Sequence, residues 1–351
     1  MGETWIGVDL HLRTATACRY EDGRLGVVRL LKLHGPEWER YWQAAPREAD
    51  VVVEMGRTTW WFARWVQERG LIAHVIDPVR SRAMAAGRPK TDRCDARWLA
   101  EMGAKGVLHE VYVIRPETER LRELLRHRST WVRDRTRVKN RIHYQLAHEQ
   151  VVCPHRSVFS QRGQRWLDTV HVSAPYNRSL DNHRAHYAFV QTQVDQTTEA
   201  VLSHPLDEDL VRRLESIPGI GSLTARTLIA EIETIYRFPT PEHLISYAGL
   251  APRVRQSSTQ DRRGPLTKRG SVWLRTALVE AAQVAVRHPN QFQRVFRRVA
   301  FRRGGNVGIV AAGRRLAAVV WHVWWKGRSY EEPQGVRPQE SAGVTASVAT
   351  A

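Results

Sequence analysis

Three short apolar runs in the first eighty residues each end on a carboxylate: Trp5-Ile6-Gly7-Val8-Asp9, Asp50-Val51-Val52-Val53-Glu54 and Leu71-Ile72-Ala73-His74-Val75-Ile76-Asp77. Runs this brief and rich in β-branched residues are strands. Between them, residues 37–45 and 58–69 have helical spacing, the second with Trp61, Trp65 and Val66 on one stripe. Residues 14–20 and 27–33 read as two further strands, with a hairpin turn at Asp22-Gly23 after the first of them. This alternation predicts a mixed sheet flanked by helices. Sites in such sheets form at the carboxyl ends of strands, where Asp9 and Glu54 fall; Asp77 is expected to play a structural or supporting part.

Next comes Gly87-Arg88-Pro89-Lys90-Thr91-Asp92-Arg93-Cys94-Asp95-Ala96. Pro89 and Thr91 suit the start of a helix, which places Asp92 and Asp95 in its first turn, three apart and on one face. Taken alone, two acids there simply favour the positive end of the helix dipole. Their company argues for more. Asp9, Glu54, Asp92 and Asp95 gathered at one sheet edge repel one another unless cations neutralise them. Mg²⁺ binds through a few carboxylates plus substrate phosphate, and two such ions can serve the attacking and leaving oxygens of a phosphoryl transfer.

Charge narrows the partner. Lys and Arg number 54 against 36 Asp and Glu, a formal +18 over 351 residues. Such a balance points to a polyanion, nucleic acid before membrane surface. No apolar run approaches the roughly 20 residues that span a bilayer, the first residues lack the pattern of a signal peptide, and three scattered cysteines suggest a reduced cytoplasm.

Past Arg115-Pro116 the chain becomes charged and helical. Leu121, Leu125, Val132, Val138, Ile142 and Leu146 form a near-heptad stripe on a helix of about thirty residues. Nine cations surround it, Arg126, Arg133 and Arg137 among them, and point to phosphate contact. The stripe's partner is either a second copy of the helix or residues 182–202. Residues 152–179 show no clean period and are expected to be irregular with short helices.

A further unit opens at His204-Pro205. Ile217-Pro218-Gly219-Ile220-Gly221 separates helices at 207–216 and 226–232 and resembles a helix-hairpin-helix turn, in which Gly219 and Gly221 let backbone N–H groups approach a phosphate. Residues 249–270 are polar, Gly- and Pro-containing and cationic, and read as an ordered loop against nucleic acid, with Arg253, Arg255, Lys268 and Arg269 as contacts. A hydroxyl among these charges could attack a phosphodiester, although a loop that merely grips phosphate fits the composition as well. Helices are expected at 242–247, 271–287, 291–303 and 306–325, and a disordered tail from about residue 331.

Gly7-Val8-Asp9, Val52-Val53-Glu54 and Lys90-Thr91-Asp92-Arg93-Cys94-Asp95-Ala96, together with Gly249-Leu250-Ala251-Pro252-Arg253 and Thr267-Lys268-Arg269-Gly270, resemble the insertion sequence 110 family of transposases. The resemblance implies an RNase H-like (RuvC-like) DEDD domain at residues 1–114, a basic helical or coiled-coil region at 115–203, a mainly α serine domain at 204–330 and a tail at 331–351. It implies Asp9, Glu54, Asp92 and Asp95 as catalytic metal ligands for one or two Mg²⁺, with Lys90 beside them as a nucleic-acid contact. It also implies Ser257 as a nucleophile that links covalently to DNA; Ser258 follows directly, where the family more often has a small residue. Some members are guided by a bridge RNA from their own element. DNA, such an RNA and further copies of the chain are therefore the expected partners, in a bacterial cytoplasm at the nucleoid. A hydrolytic RuvC-like nuclease such as a junction resolvase, or a non-catalytic nucleic-acid binder, are the alternatives.

Overall fold

The computed structural model describes residues 4–84, 91–257, 260–267 and 269–333. They fall into two compact units, Met1–Ile114 and Arg115–Ala351. Lys90, Ser258, Lys268 and the tail from residue 334 lie outside the described residues.

The first unit runs β1 (Trp5–Leu10), β2 (Thr14–Glu21), β3 (Arg24–Leu25), β4 (Arg29–Lys32), α1 (Pro36–Gln43), β5 (Asp50–Glu54), α2 (Thr59–Gln67), β6 (Ile72–Ile76), α3 (Pro78–Met84) and α4 (Asp92–Ala104). The sheet order is β3-β2-β1-β5-β6, with β4 also paired to β2. Strands β1, β5 and β6 are parallel and β2 is antiparallel to β1. The strand expected at 27–33 is β4, and a two-residue strand, β3, precedes it, with Gly26 between them donating its N–H to the Arg19 carbonyl. Asp22 and Gly23, both at positive φ (47° and 80°), turn the chain from β2 into β3.

Period-two alternation sorts the strand residues. Ile6, Val8, Val51, Val53 and Val75 face one way, into a core completed by Trp38, Trp42, Phe62 and Trp65 of α1 and α2. Val52 and Ile76 belong to a second cluster with Trp98 and Leu99 of α4. Gly7 makes that second layer possible. A Cβ there would lie 2.1 Å from the Ala96 carbonyl oxygen and 2.4 Å from the Ala100 nitrogen, so α4 crosses β1 at backbone contact.

The second unit contains α5 (Pro116–His148), α6 (Gln161–Thr169), α7 (Ala174–Leu202), α8 (Glu208–Glu215), α9 (Ser222–Ile232), α10 (Pro241–Tyr247), β7 (Pro252–Ser257), β8 (Gln260–Leu266), α11 (Val272–Ala285), α12 (Gln291–Arg303) and α13 (Gly305–Lys326). The partner of α5 is α7, which begins eight residues before the expected segment. The two run antiparallel: Leu121 clusters with Val201, Arg128 donates to Thr198, and the His148 and Tyr176 rings meet at the other end. Leu167 of α6 joins the cluster between α5 and α7, and helices α8 to α13 build one core around α13. At 22 residues, α13 is long and apolar enough to cross a bilayer by length and composition, contrary to the sequence expectation; half of that stretch is buried against the rest of the unit. Trp321, near its end, donates its indole N–H to the Phe238 carbonyl at 2.7 Å.

The polar segment 249–270 is a two-stranded antiparallel hairpin where a loop was expected. Only Val254 is apolar between Pro252 and Ser257, so no alternation announces a strand. Thr267 donates to Ala251, and Ser271 to Tyr247, at the hairpin's base. Gly270, at φ 126°, backs onto the Tyr247 carbonyl so closely that a Cβ would lie 2.0 Å from it.

Candidate functional site

Asp9 is the fifth residue of β1 and Glu54 the last of β5. Gly7 pairs with Val52 and Val8 with Val53, so the next step of the same register sets Asp9 beside Glu54 on the face that α4 covers. Helix α4 starts at that end of the sheet. Thr91 caps it, its hydroxyl accepting from the Cys94 N–H at 3.3 Å, which fixes Asp92 and Asp95 in the first turn. Close passage of α4 over Gly7 then carries the first turn toward Asp9.

Asp9, His11 and Asp92 come together: each offers a ligand atom, and these atoms lie within 4.8 Å of one another. His11 Nε2 is 3.4 Å from Asp9 Oδ2 and 3.3 Å from Asp92 Oδ2. Asp9 is half-buried, and burial holds its carboxyl above the ordinary carboxylate range. His11 pulls it down, and the charges of Asp92 and Asp95 push it up again. Carboxylates gathered this closely are a donor set that a divalent cation relieves, and oxygen donors of this kind fit Mg²⁺. Asp77, by contrast, caps α3, its Oδ1 accepting from the Val79 N–H at 2.8 Å.

His11 went unnoticed in the sequence. A histidine two residues beyond a strand-end acid shares that acid's side of the chain, and this spacing was the available signal. Gly7 in the middle of an apolar strand was likewise a sign of close backbone approach.

The residues expected to hold nucleic acid divide in two. On α5, Arg133 and Arg137 are exposed, Arg137 pairing with Asp134 at 2.8 Å. Arg126 is instead turned to Glu231 (3.7 Å), Glu123 (3.3 Å) and the Trp273 ring. Others of the nine cations are also used within the fold. Buried Arg122 donates to the Ala230 and Glu231 carbonyls at 2.7 and 3.0 Å, Arg128 to Thr198 and Arg135 to Gln191, while Lys139 lies over Phe159 and Tyr187. The stripe of solvated cations is therefore narrower than spacing alone suggests, because α7 and α9 pack on the other side.

The two glycines of the 217–221 turn differ as well. Gly219, at φ 89°, presses on α11, and a Cβ would lie 2.2 Å from the Ala281 carbonyl oxygen. Gly221 begins α9 in open space. Ser257 is the last residue of β7 and pairs with Gln260, so it stands at the end of the hairpin far from Gly249 and Gly270. Arg253 and Arg255 lie on the same strand, and Arg269 is exposed after β8.

Parallel strands ending in acids, with a helix that brings further acids to the same edge, define a domain of the DEDD transposase class, and the profile of that domain in IS110-type transposases matches residues 6–149. The second unit matches the profile described as transposase, IS116/IS110/IS902 family, over residues 211–297. The chain belongs to this family of transposases. Among its relatives, y4qE of Sinorhizobium fredii, described as a transposase, is 28% identical, over 80% of this chain and 71% of that protein. The transposase for insertion sequence element IS1328 of Yersinia enterocolitica is 26% identical, over 80% and 85%. A pilin gene-inverting protein of Moraxella bovis is 24% identical, over 95% and 99%.

Proposed function

We propose that the chain cuts and rejoins DNA at the ends of an insertion sequence, using Asp9, Glu54, Asp92 and Asp95 as metal ligands and Ser257 as nucleophile. The observation that carries this reading is the meeting of Asp9 and Asp92, from separate elements, with ligand atoms close enough to share one ion. Asp9, Glu54, Asp92 and Asp95 would hold one or two divalent cations such as Mg²⁺, which would supply positive charge to the scissile phosphate and to the leaving oxygen. Ser257 Oγ forms a bond to phosphorus as the bond from phosphorus to the 3′ oxygen breaks. DNA is left joined to the protein through a 5′ phosphate, and the 3′ oxygen takes up a proton. Arg253, Arg255, Lys268 and Arg269 steady the phosphate oxygens.

Arg133, Arg137 and Lys90 supply phosphate contacts for DNA or for a bridge RNA made from the same element. Gly221, open at the start of α9, suits the helix-hairpin-helix reading, in which its backbone N–H meets a phosphate. The protein works as a homo-oligomer.

Two variants incubated with DNA carrying the element's ends test the reading. Ser257→Ala abolishes a protease-sensitive protein–DNA adduct, and Asp92→Asn abolishes strand cleavage in Mg²⁺. Cleavage that survives Ser257→Ala with no adduct in either protein would overturn the serine step and leave water as nucleophile. DNA binding indifferent to divalent cations, with no product from the wild type, would overturn the enzymatic reading altogether.

A further inference from the structure

We propose that His11 is itself a ligand of the metal centre, and that its imidazole nitrogen gives the site a preference for Mn²⁺ and neighbouring first-row ions over Mg²⁺. This rests on the reading of the acids as a metal centre given above.

His11 follows the end of β1 in a turn closed by its own backbone N–H, which donates to the Thr14 carbonyl at 2.9 Å. The ring thus comes from a fixed backbone position. Nε2 stands between carboxylates of two different elements, 3.4 Å from Asp9 on β1 and 3.3 Å from Asp92 on α4. Two donor atoms that share one ion at about 2.1 Å stand roughly 3.0 to 3.4 Å from each other. The nitrogen therefore sits where a third donor to the same ion belongs.

Residue chemistry separates a ligand from a mere counter-charge. A guanidinium offers donors alone, whereas a neutral imidazole offers a lone pair. Among the described residues, the basic group that stands between these two acids is an imidazole. Mg²⁺ takes oxygen donors and keeps several waters. A nitrogen donor adds little for it, while the first-row divalent ions accept mixed nitrogen and oxygen sets in rising order from Mn²⁺. The centre would accordingly take either ion through its carboxylates and hold Mn²⁺ more tightly through His11.

The test is Mn²⁺ binding to the full chain, followed by the electron paramagnetic resonance of free Mn²⁺ and by competition with Mg²⁺, in the wild type, His11→Ala and Asp9→Asn. Loss of a direct ligand is expected to weaken Mn²⁺ binding by at least about tenfold with the Mg²⁺ affinity left close to its wild-type value. Electron spin echo modulation from nitrogen in the wild-type Mn²⁺ complex should change when the histidines carry ¹⁵N, and should vanish in His11→Ala. Absence of that modulation in the wild type overturns the proposal, as does a fall of both affinities by the same factor, or of neither, in His11→Ala. If Asp9→Asn loses both ions while His11→Ala keeps the wild-type ratio, the role of His11 fails and the metal centre stands. If the wild type binds neither ion, or Asp9→Asn binds both as tightly as the wild type, the metal-centre reading fails and this inference with it.

Discussion

Each unit of the molecule carries a cluster of carboxylates, and the two are treated in opposite ways. In the helical unit, Glu233 is 1% exposed and its Oε1 accepts from the Arg115 backbone N–H and Nε at 2.9 Å each and from Thr118 at 3.0 Å. Glu231, beside it, faces Arg122 and Arg126 and accepts from the Ser271 hydroxyl at 2.7 Å. Glu231 and the Oε1 of Glu233 are met by donors fixed in the fold, while Glu233 Oε2 is buried without a hydrogen-bond partner, and the two acids tie α5, α9 and the cap of α11 together. In the sheet unit, Asp9 and Asp92 crowd each other and Asp95, with an imidazole as their near basic neighbour, and Asp92 is 58% exposed. A buried acid matched in place holds a structure. Acids pressed together at an open edge raise the free energy of the apo protein and gain from a cation supplied by solvent.

The largest effect that could break this contrast is that of Glu231→Ala, which leaves the buried Arg122 guanidinium without its carboxylate. A loss of about 3 to 5 kcal/mol is expected on denaturant unfolding, with Mn²⁺ binding by the folded protein unaltered. A parallel loss of metal binding would show that the two clusters are not separate in purpose. Next is Gly7→Ala, whose new methyl would collide with the α4 backbone; about 1 to 3 kcal/mol of overpacking should appear in unfolding, together with weakened metal binding as α4 is pushed off β1 and Asp92 away from Asp9. Stability lost with metal binding intact would mean that the approach of α4 does not assemble the site. The smallest effect separates the two turn glycines. Gly219→Ala meets both a positive φ and the Ala281 carbonyl and should cost about 1 to 3 kcal/mol, whereas Gly221→Ala should cost only about 0.5 kcal/mol as a change at a helix cap. If Gly221 serves phosphate, its variant weakens DNA binding in a filter assay while remaining folded.

Much of the sheet unit was legible because its physics is local. Val51-Val52-Val53 and Ile6-Gly7-Val8 announce strands by β-branching, and each strand's last acid follows from counting. Thr91 and the i, i+3 spacing of Asp92 and Asp95 announce a helix start. That Asp9 and Asp92 meet at one edge was expected from the strand end and the helix start, but register and the crossing of α4 depend on contacts distant in sequence, so the distances between them and the place of His11 came from the structure. In the helical unit, charge misled. Arg122, Arg126, Arg128 and Arg135 look like solvated cations in a sequence, but carbonyls and side chains of α7 and α9, many residues away, occupy them. The hairpin of β7 and β8 was hidden for another reason: its strands pair through backbone without an alternating apolar face.

The edge where β1 and β5 end beneath the first turn of α4 is expected to hold a divalent cation. Anomalous diffraction from crystals soaked in Mn²⁺ tests it most directly. An anomalous peak is expected in contact with Asp9 and Asp92, bounded by His11, with none at Glu231 and Glu233. An empty edge in crystals that bind Mn²⁺ elsewhere would contradict it.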